Sequence, residues 1–301
     1  MGSPPAGAAI LEELLTSQHR VLAAVTAPDR PSGRGLRPAP TAVKALAEQA
    51  GLAVLQPESS RALAPAIAEF EADAVVVAAY GFILQEEVLK TPRLGCVNVH
   101  FSLLPRLRGA APVARAILEG LDVTGVTIMQ MDAGLDTGPI LSKRAVAIDP
   151  TETAGTLEAR LAEVGSPLLV ETLDGLEAGE VQAIPQDEQA ATYAPKIEPS
   201  EARLDWSMHA VELKRRIRAF NPRPGAWTTL QGKRLKIFRA EVVDSGTEGE
   251  PGSIVNSDDG PAAVTGRGLL RLDVVQGEGK KKMTGRDFAR GSRGVLASIF
   301  E

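Results

Sequence analysis

Two kinds of apolar pattern alternate through the first half of the chain. Short unbroken apolar runs, rich in β-branched residues, occupy Val21–Thr26, Ala53–Gln56, Ala74–Ala79, Val97–Phe101 and Thr124–Asp132. Runs of this length, bounded by turn residues, predict buried strands. Between them lie longer segments that predict helices: Ala9–Ser17, Thr41–Ala50, Arg61–Phe70 and Val113–Leu118. Leu157, Leu161, Val164 and Leu168 then recur at helical intervals, and Gly165-Ser166-Pro167 predicts a kink or break there. Strand–helix alternation of this kind predicts an α/β, doubly wound, Rossmann-like parallel sheet with helices on both faces. One feature departs from that plan. The pattern opens on a helix, and the buried strand that normally begins such a sheet is missing.

The alternation fades between Ile184 and Ser200, a polar stretch containing prolines. It reads as an interdomain linker (184–200) between a domain at 1–183 and another at 201–301. Beyond it, a helix is expected from Ser207, as its cap, to Ala219. Short strands follow at Ala226–Leu230, Arg234–Val243, Gly252–Asn256, Ala262–Thr265 and Leu269–Val275, with turns at Gln231-Gly232 and Asp259-Gly260. Several short strands with regular turns predict a small β-barrel.

Composition narrows this picture. The 301 residues are 44% hydrophobic and 24% charged, and no apolar run reaches membrane-spanning length. The start, MGSPPAGAA, lacks the positive region of a secretory signal. The single cysteine, Cys96, forbids an internal disulfide and fits a cytoplasmic setting; it reads as core packing. Three histidines and one cysteine without ligand spacing argue against a metal site. Charge is uneven: residues 201–301 carry 18 Lys/Arg against 13 Asp/Glu, and residues 1–200 carry 15 against 25. A basic second part suits a polyanion, although a solvated surface explains it equally well.

The candidate chemistry sits in residues 95–139. Asn98 and His100 are two apart on a predicted strand, so they share a face. Asp136 follows the next strand in a glycine-flanked loop. If those strands are parallel neighbours, the three groups meet at their carboxyl ends, where open α/β sheets bind ligands. On spacing alone, ordinary polar groups at a strand edge are an equal reading. Ser102 lacks the surroundings of a nucleophilic serine. The segment Pro28–Pro40, with Arg30, Arg34 and Arg37, is long for a βα connection.

Asn98-x-His100-x-Ser102-Leu103-Leu104-Pro105, then Arg108-Gly109 and Asp136, resemble the formyltransferase family that uses 10-formyltetrahydrofolate. PDRPSGRG at 28–35, TYAPKI at 192–197 and RAFNPRPGAW at 218–227 extend the resemblance along nearly the whole chain. In that family an apolar strand precedes a glycine-rich turn like Met1-Gly2-Ser3-Pro4, so the chain is expected to begin just after it. The resemblance implies a metal-free transfer of formyl from 10-formyltetrahydrofolate to the α-amine of methionine on initiator tRNA. Such a reaction is acyl transfer to an amine and needs an oxyanion donor and a proton acceptor. Asn98 and His100 are assigned to the oxyanion, and Asp136 to orienting His100 and accepting protons. Ser102, Leu103, Leu104 and Pro105 resemble the folate-binding turn. Arg34 matches the arginine of the loop that enters the acceptor stem, and Lys196 matches the family linker. The second domain is expected to be similar to an oligonucleotide-binding (OB) barrel, with Lys214, Arg215 and Arg216 as its phosphate contacts. A monomer is expected. Two alternatives stand beside this reading. One is a formyltransferase for another amine, such as glycinamide ribonucleotide or an amino sugar nucleotide. The other is a non-catalytic RNA-binding relative.

Overall fold

A computed structural model describes residues 1–32, 37–243, 249–257, 259–291 and 298–301. Contacts divide the chain into two compact units. The first holds Met1–Pro112, Val123–Ala147 and Glu158–Pro195; the second holds Val113–Asp122, Ile148–Leu157 and Lys196–Glu301. Residues 184–195, read from the sequence as linker, therefore pack with the first unit.

The elements run α1 (Pro5–Thr16), β1 (Ala23–Val25), β2 (Arg30–Ser32), β3 (Arg37–Ala39), α2 (Ala42–Gln49), β4 (Ala53–Leu55), α3 (Leu63–Ala68), β5 (Val75–Val77), α4 (Glu86–Lys90), β6 (Cys96–His100), α5 (Pro112–Glu119), β7 (Val123–Gln130), β8 (Ile140–Ala147) and α6 (Ala154–Ala178). β1 pairs in parallel with β4, and β5 in parallel with β6. Because side chains alternate along a strand, Ala24 meets Leu11, Val43 and Ala47 of α1 and α2, while Val25 meets the cluster containing Leu63, Ile67 and Val88 of α3 and α4. Helices thus cover both faces, as the alternation predicted. Each fully buried leucine, isoleucine or valine in these layers contributes about 1.5–3 kcal/mol. Cys96 is part of the second cluster, and burial pushes its thiol up to about 11.

Parallel order stops at β6. β7 pairs antiparallel with β6 (His100 opposite Thr127), and β8 antiparallel with β7. The condition for three groups meeting at parallel carboxyl ends is therefore not met. β8 escaped the sequence reading because its centre, Lys143 to Ala145, is exposed and breaks the apolar run. The loop at Pro28–Pro40 also contains more order than expected, with β2 and β3 forming an antiparallel ribbon. α6 runs on through Pro167 rather than breaking. An internal proline costs about 3 kcal/mol, and burial of Leu161, Leu168, Leu169 and Leu173 on this one helix outweighs it.

No strand precedes α1 among the described residues. Instead Met1 and Gly2 alone bridge β1 and β5. The Gly2 N–H donates to Val25 O (3.0 Å), and the Ala78 N–H donates to Met1 O (2.9 Å). A Cβ on Gly2 would stand 2.6 Å from Ala78 O, so glycine is required there. Beside this bridge lies a cavity of about 590 Å³ whose lining includes Ile10, Leu14, Ala23, Val25, Val75 and Leu94.

The second unit contains α7 (Ala210–Ala219), β9 (Trp227–Leu230), β10 (Lys233–Val243), β11 (Ile254–Ser257), β12 (Gly260–Val264), β13 (Leu269–Gly277), β14 (Met283–Thr284) and α8 (Gly285–Gly291). The strands form one antiparallel sheet in the order β11-β12-β13-β10-β9, with β14 on β13. A bulge between Ile237 and Ala240 bends β10. Residues 298–301 tie the two edges together. Ser253 bridges Ile299 beside β11, and Thr229 of β9 exchanges backbone hydrogen bonds with Glu301.

Candidate active site

β6 reads Cys-Val-Asn-Val-His and is buried along its whole length. The strand pleat puts Asn98 and His100 on one face, and both side chains are almost completely enclosed. The His100 Nε2–H donates to the carbonyl of Leu107 (3.0 Å). A carbonyl can only accept, so Nε2 carries a hydrogen, and in the neutral ring the lone pair is on Nδ1. Nδ1 faces Asp136 Oδ2 at 3.7 Å. The Asn98 amide makes no hydrogen bond to any described residue, so its N–H groups are available to an incoming oxygen.

Asp136 reaches this point from the loop joining β7 to β8. Because β7 runs antiparallel to β6, the loop starts beside Cys96, at the far end of β6, with Met131 N–H donating to Cys96 O (2.8 Å). It then folds back toward His100. Asp132 shapes the return, its Oδ1 accepting from Gly134 N–H (3.0 Å) and Thr137 Oγ1–H (2.7 Å). At Gly138 a Cβ would lie 1.9 Å from Gln130 O. Asp136 itself sits at φ +54°, in the left-handed region. Its Oδ2 accepts from the Gly109 N–H (2.7 Å).

Sequence reasoning missed the segment that supports this loop. Backbone of residues 192–194 pairs with that of 105–111: Arg108 N–H donates to Thr192 O, and Ala194 N–H to Arg108 O. The Leu107 N–H donates to Thr192 Oγ1 (2.9 Å), which sets the carbonyl that holds His100. Arg108 is fully buried and grips Gln186 and Glu188 rather than solvent or phosphate. Pairing with Glu188 holds that carboxyl below the usual range and pushes the Arg108 guanidinium up.

The residues assigned to folate fare unevenly. Ser102 is wholly buried and its hydroxyl donates to Arg106 O (2.7 Å), which commits it to closing the turn. Leu104 packs in the core with Met129 and Ile140. Those two side chains are committed to the turn and to the core. Leu103 and Pro105 stay half-buried and keep an accessible apolar surface.

The basic helix α7 also differs from expectation. Lys214 pairs with Glu241 (2.6 Å), Arg216 donates to Glu201 O (3.1 Å), and Arg215 packs over Gly120. All three are half-buried, and Lys214 and Arg216 are engaged within their own unit. Among the described residues, exposed cations of this unit gather elsewhere. The register Leu235↔Gly277 puts the start of β10 beside the end of β13, so exposed Lys233 and Arg234 share one end of the sheet with exposed Lys280 and Lys281. Arg234 lies 4.0 Å above the Trp227 ring and Lys282 3.6 Å above Phe238. Lys196 is exposed. Arg34 lies outside the described residues. Among the described residues there is no cluster fit to hold a metal and no helix long and apolar enough to cross a membrane.

Known proteins match along almost the whole chain. Residues 1–173 match the formyl transferase family and residues 196–293 the C-terminal domain of formyl transferases. A methionyl-tRNA formyltransferase of Nitrosospira multiformis is 48% identical over 293 residues, covering 96% of this chain and 94% of that protein. The crystal structure of WlaRD, a sugar 3N-formyl transferase with dTDP and 5-N-formyl-THF, aligns at TM-score 0.68 and 17% identity, over 93% of this chain and 97% of that one. A methionyl-tRNA formyltransferase structure from Clostridium thermocellum aligns at TM-score 0.54 and 19% identity, over 65% of this chain and 83% of that one. At such identities the two structures establish a shared fold and nothing finer.

Proposed function

This chain belongs to the formyl transferase family, and from that premise we propose that it formylates the α-amine of methionyl initiator tRNA with 10-formyltetrahydrofolate as donor. The observation that carries the proposal is the approach of His100 Nδ1 to Asp136 Oδ2 (3.7 Å), with the Asn98 amide, which no described residue engages, on the same strand face as His100. The neutral amine attacks the formyl carbon, and the carbonyl oxygen becomes an oxyanion. An Asn98 N–H donates to that oxygen; one such donor supports catalysis by about 3–4 kcal/mol. His100 Nδ1 takes the proton lost by the new ammonium. The resulting imidazolium donates to the oxyanion or delivers its proton to N10 of the folate as the C–N10 bond breaks. Asp136 opposes the transient charge on His100, since Leu107 O already occupies the other ring nitrogen.

Identity to a methionyl-tRNA enzyme favours tRNA over a sugar or ribonucleotide amine. The cations at the β10/β13 end supply a surface for its phosphates, and Arg34 and Lys196 are proposed as further contacts. A cytoplasmic setting is proposed with translation as the context. The test is purified protein with 10-formyltetrahydrofolate and methionyl initiator tRNA, with free methionine as control. Formylmethionyl-tRNA without formylmethionine is the expected product. Formylation of an amino sugar nucleotide in its place would move the assignment to a small amine.

A further inference from the structure

Asp136 occupies a backbone conformation that side chains other than glycine rarely adopt, at a cost of order 1 kcal/mol or more. Something must hold it there. Among the described residues its carboxylate is held by one N–H, that of Gly109. Its backbone is held by a side chain 50 residues on: Gln186 Nε2 donates to the carbonyls of Asp136 (2.8 Å) and Gly138 (2.7 Å), one hydrogen to each. The amide orientation is unambiguous, because a carbonyl cannot donate and a guanidinium cannot accept. Gln186 Oε1 in turn accepts from Arg108 Nε (3.0 Å) and Nη2 (2.9 Å), and Arg108 is closed off by a two-pronged pair with Glu188. The residue after Arg108 is Gly109, the other hold on Asp136. The chain therefore makes a closed ring of contacts: Arg108 to Gln186, Gln186 to the Asp136 backbone, Asp136 carboxylate to Gly109, and Gly109 back to Arg108.

We propose that Gln186 is a positioning residue of the active site, which sets Asp136 against His100, and that Arg108 acts by aiming Gln186. The proposal rests on the functional reading above. Gln186 touches neither His100 nor any reacting atom. Its effect is confined to the placement of one carboxylate, where a shift of about 1 Å costs roughly 10²-fold in rate.

Three variants test this. Gln186→Met keeps the shape and loses all four hydrogen bonds. Gln186→Glu keeps the acceptor for Arg108, adds charge to it, and loses both donors to the loop. Arg108→Lys keeps a charge and loses the fork. With methionyl-tRNA, Gln186→Glu should melt within several degrees of wild type yet lose 10- to 100-fold in kcat, with KM for both substrates within about threefold. A merely structural glutamine would leave that variant active. Gln186→Met and Arg108→Lys should fall in the same direction. In an Asp136→Asn background the Gln186 substitutions should have no further effect on kcat. Additive losses in that double variant, or wild-type kcat in Gln186→Glu, would overturn the proposal. A wild-type protein inactive on methionyl-tRNA would defeat the functional reading instead. In that case backbone hydrogen exchange decides the structural claim: the Gly109 amide should exchange at least tenfold faster in Gln186→Met than in wild type, and unchanged exchange refutes the positioning.

Discussion

Replacing Asp136 by asparagine tests the reaction at its centre. The amide is isosteric, and its oxygen can keep the Gly109 hydrogen bond now at 2.7 Å. What disappears is a negative charge 3.7 Å from His100 Nδ1, where both side chains are largely shielded from water. At an effective dielectric constant near 20, that charge stabilises an imidazolium by about 4 kcal/mol, close to three powers of ten in rate. Stability should change far less, by about 1 kcal/mol, because one charge-assisted hydrogen bond becomes a neutral one. Single-turnover formylation with saturating 10-formyltetrahydrofolate gives the chemical step, and a thermal melt gives the fold. The expected result is a rate lower by about three decades in a protein that melts within a few degrees of wild type. A rate within threefold of wild type would refute the argument, since it would mean that no charge develops on His100 opposite Asp136.

Three further outcomes are expected. Half-buried Glu158 has its carboxyl pushed up by burial; a raised folded pKa means stability is lost as pH climbs through that region, so Glu158→Gln should melt higher than wild type at pH 7.5 and equal to it in acid, and matching melts at both pH values would reject the sign. Removing Lys233 and Arg234 together should weaken tRNA binding and flatten its salt dependence by about 0.7–0.9 per lost phosphate contact, whereas an unchanged slope would take the β10/β13 end out of the interface. An extended apolar segment of four or five residues fused ahead of Met1 should enter the cavity between β1 and β5 and raise the melting temperature by several degrees, each buried apolar side chain supplying about 1.5–3 kcal/mol against about 1–2 kcal/mol of backbone ordering. The fusion also converts the buried Met1 amine, which burial pushes down to about 6, into an amide. The extra loss of stability that this amine causes between pH 8 and pH 6 should vanish with it, and an extended chain that melts like the original would show that the cavity accepts no strand.

Hydrophobic patterning alone determined most of the first unit, because a strand buried on both faces needs an unbroken apolar run and a covering helix needs a stripe. Asn98, His100 and Asp136 stood out as candidates through the resemblance, the first two at a spacing that any strand turns into a shared face. The manner of their meeting was not. Antiparallel pairing of β6 and β7 carries Asp136 the wrong way, and only the returning loop, held by Asp132, Gly138 and Gln186, brings it back. Gln186 was invisible because it holds the Asp136 loop through backbone carbonyls about 50 residues away, and backbone groups leave no mark in sequence. The same holds for charge. A cationic helix reads as a phosphate site until tertiary packing pairs Lys214 with Glu241 and turns Arg216 onto a carbonyl. Two separate basic segments, at 233–234 and 280–282, become one patch only through the register of β10 against β13. Sequence determines which groups a chain carries and which face of its own element each takes. Which of them remain unpaired is decided by the neighbours that long-range packing supplies, and that governs whether a charge binds a ligand or holds the fold.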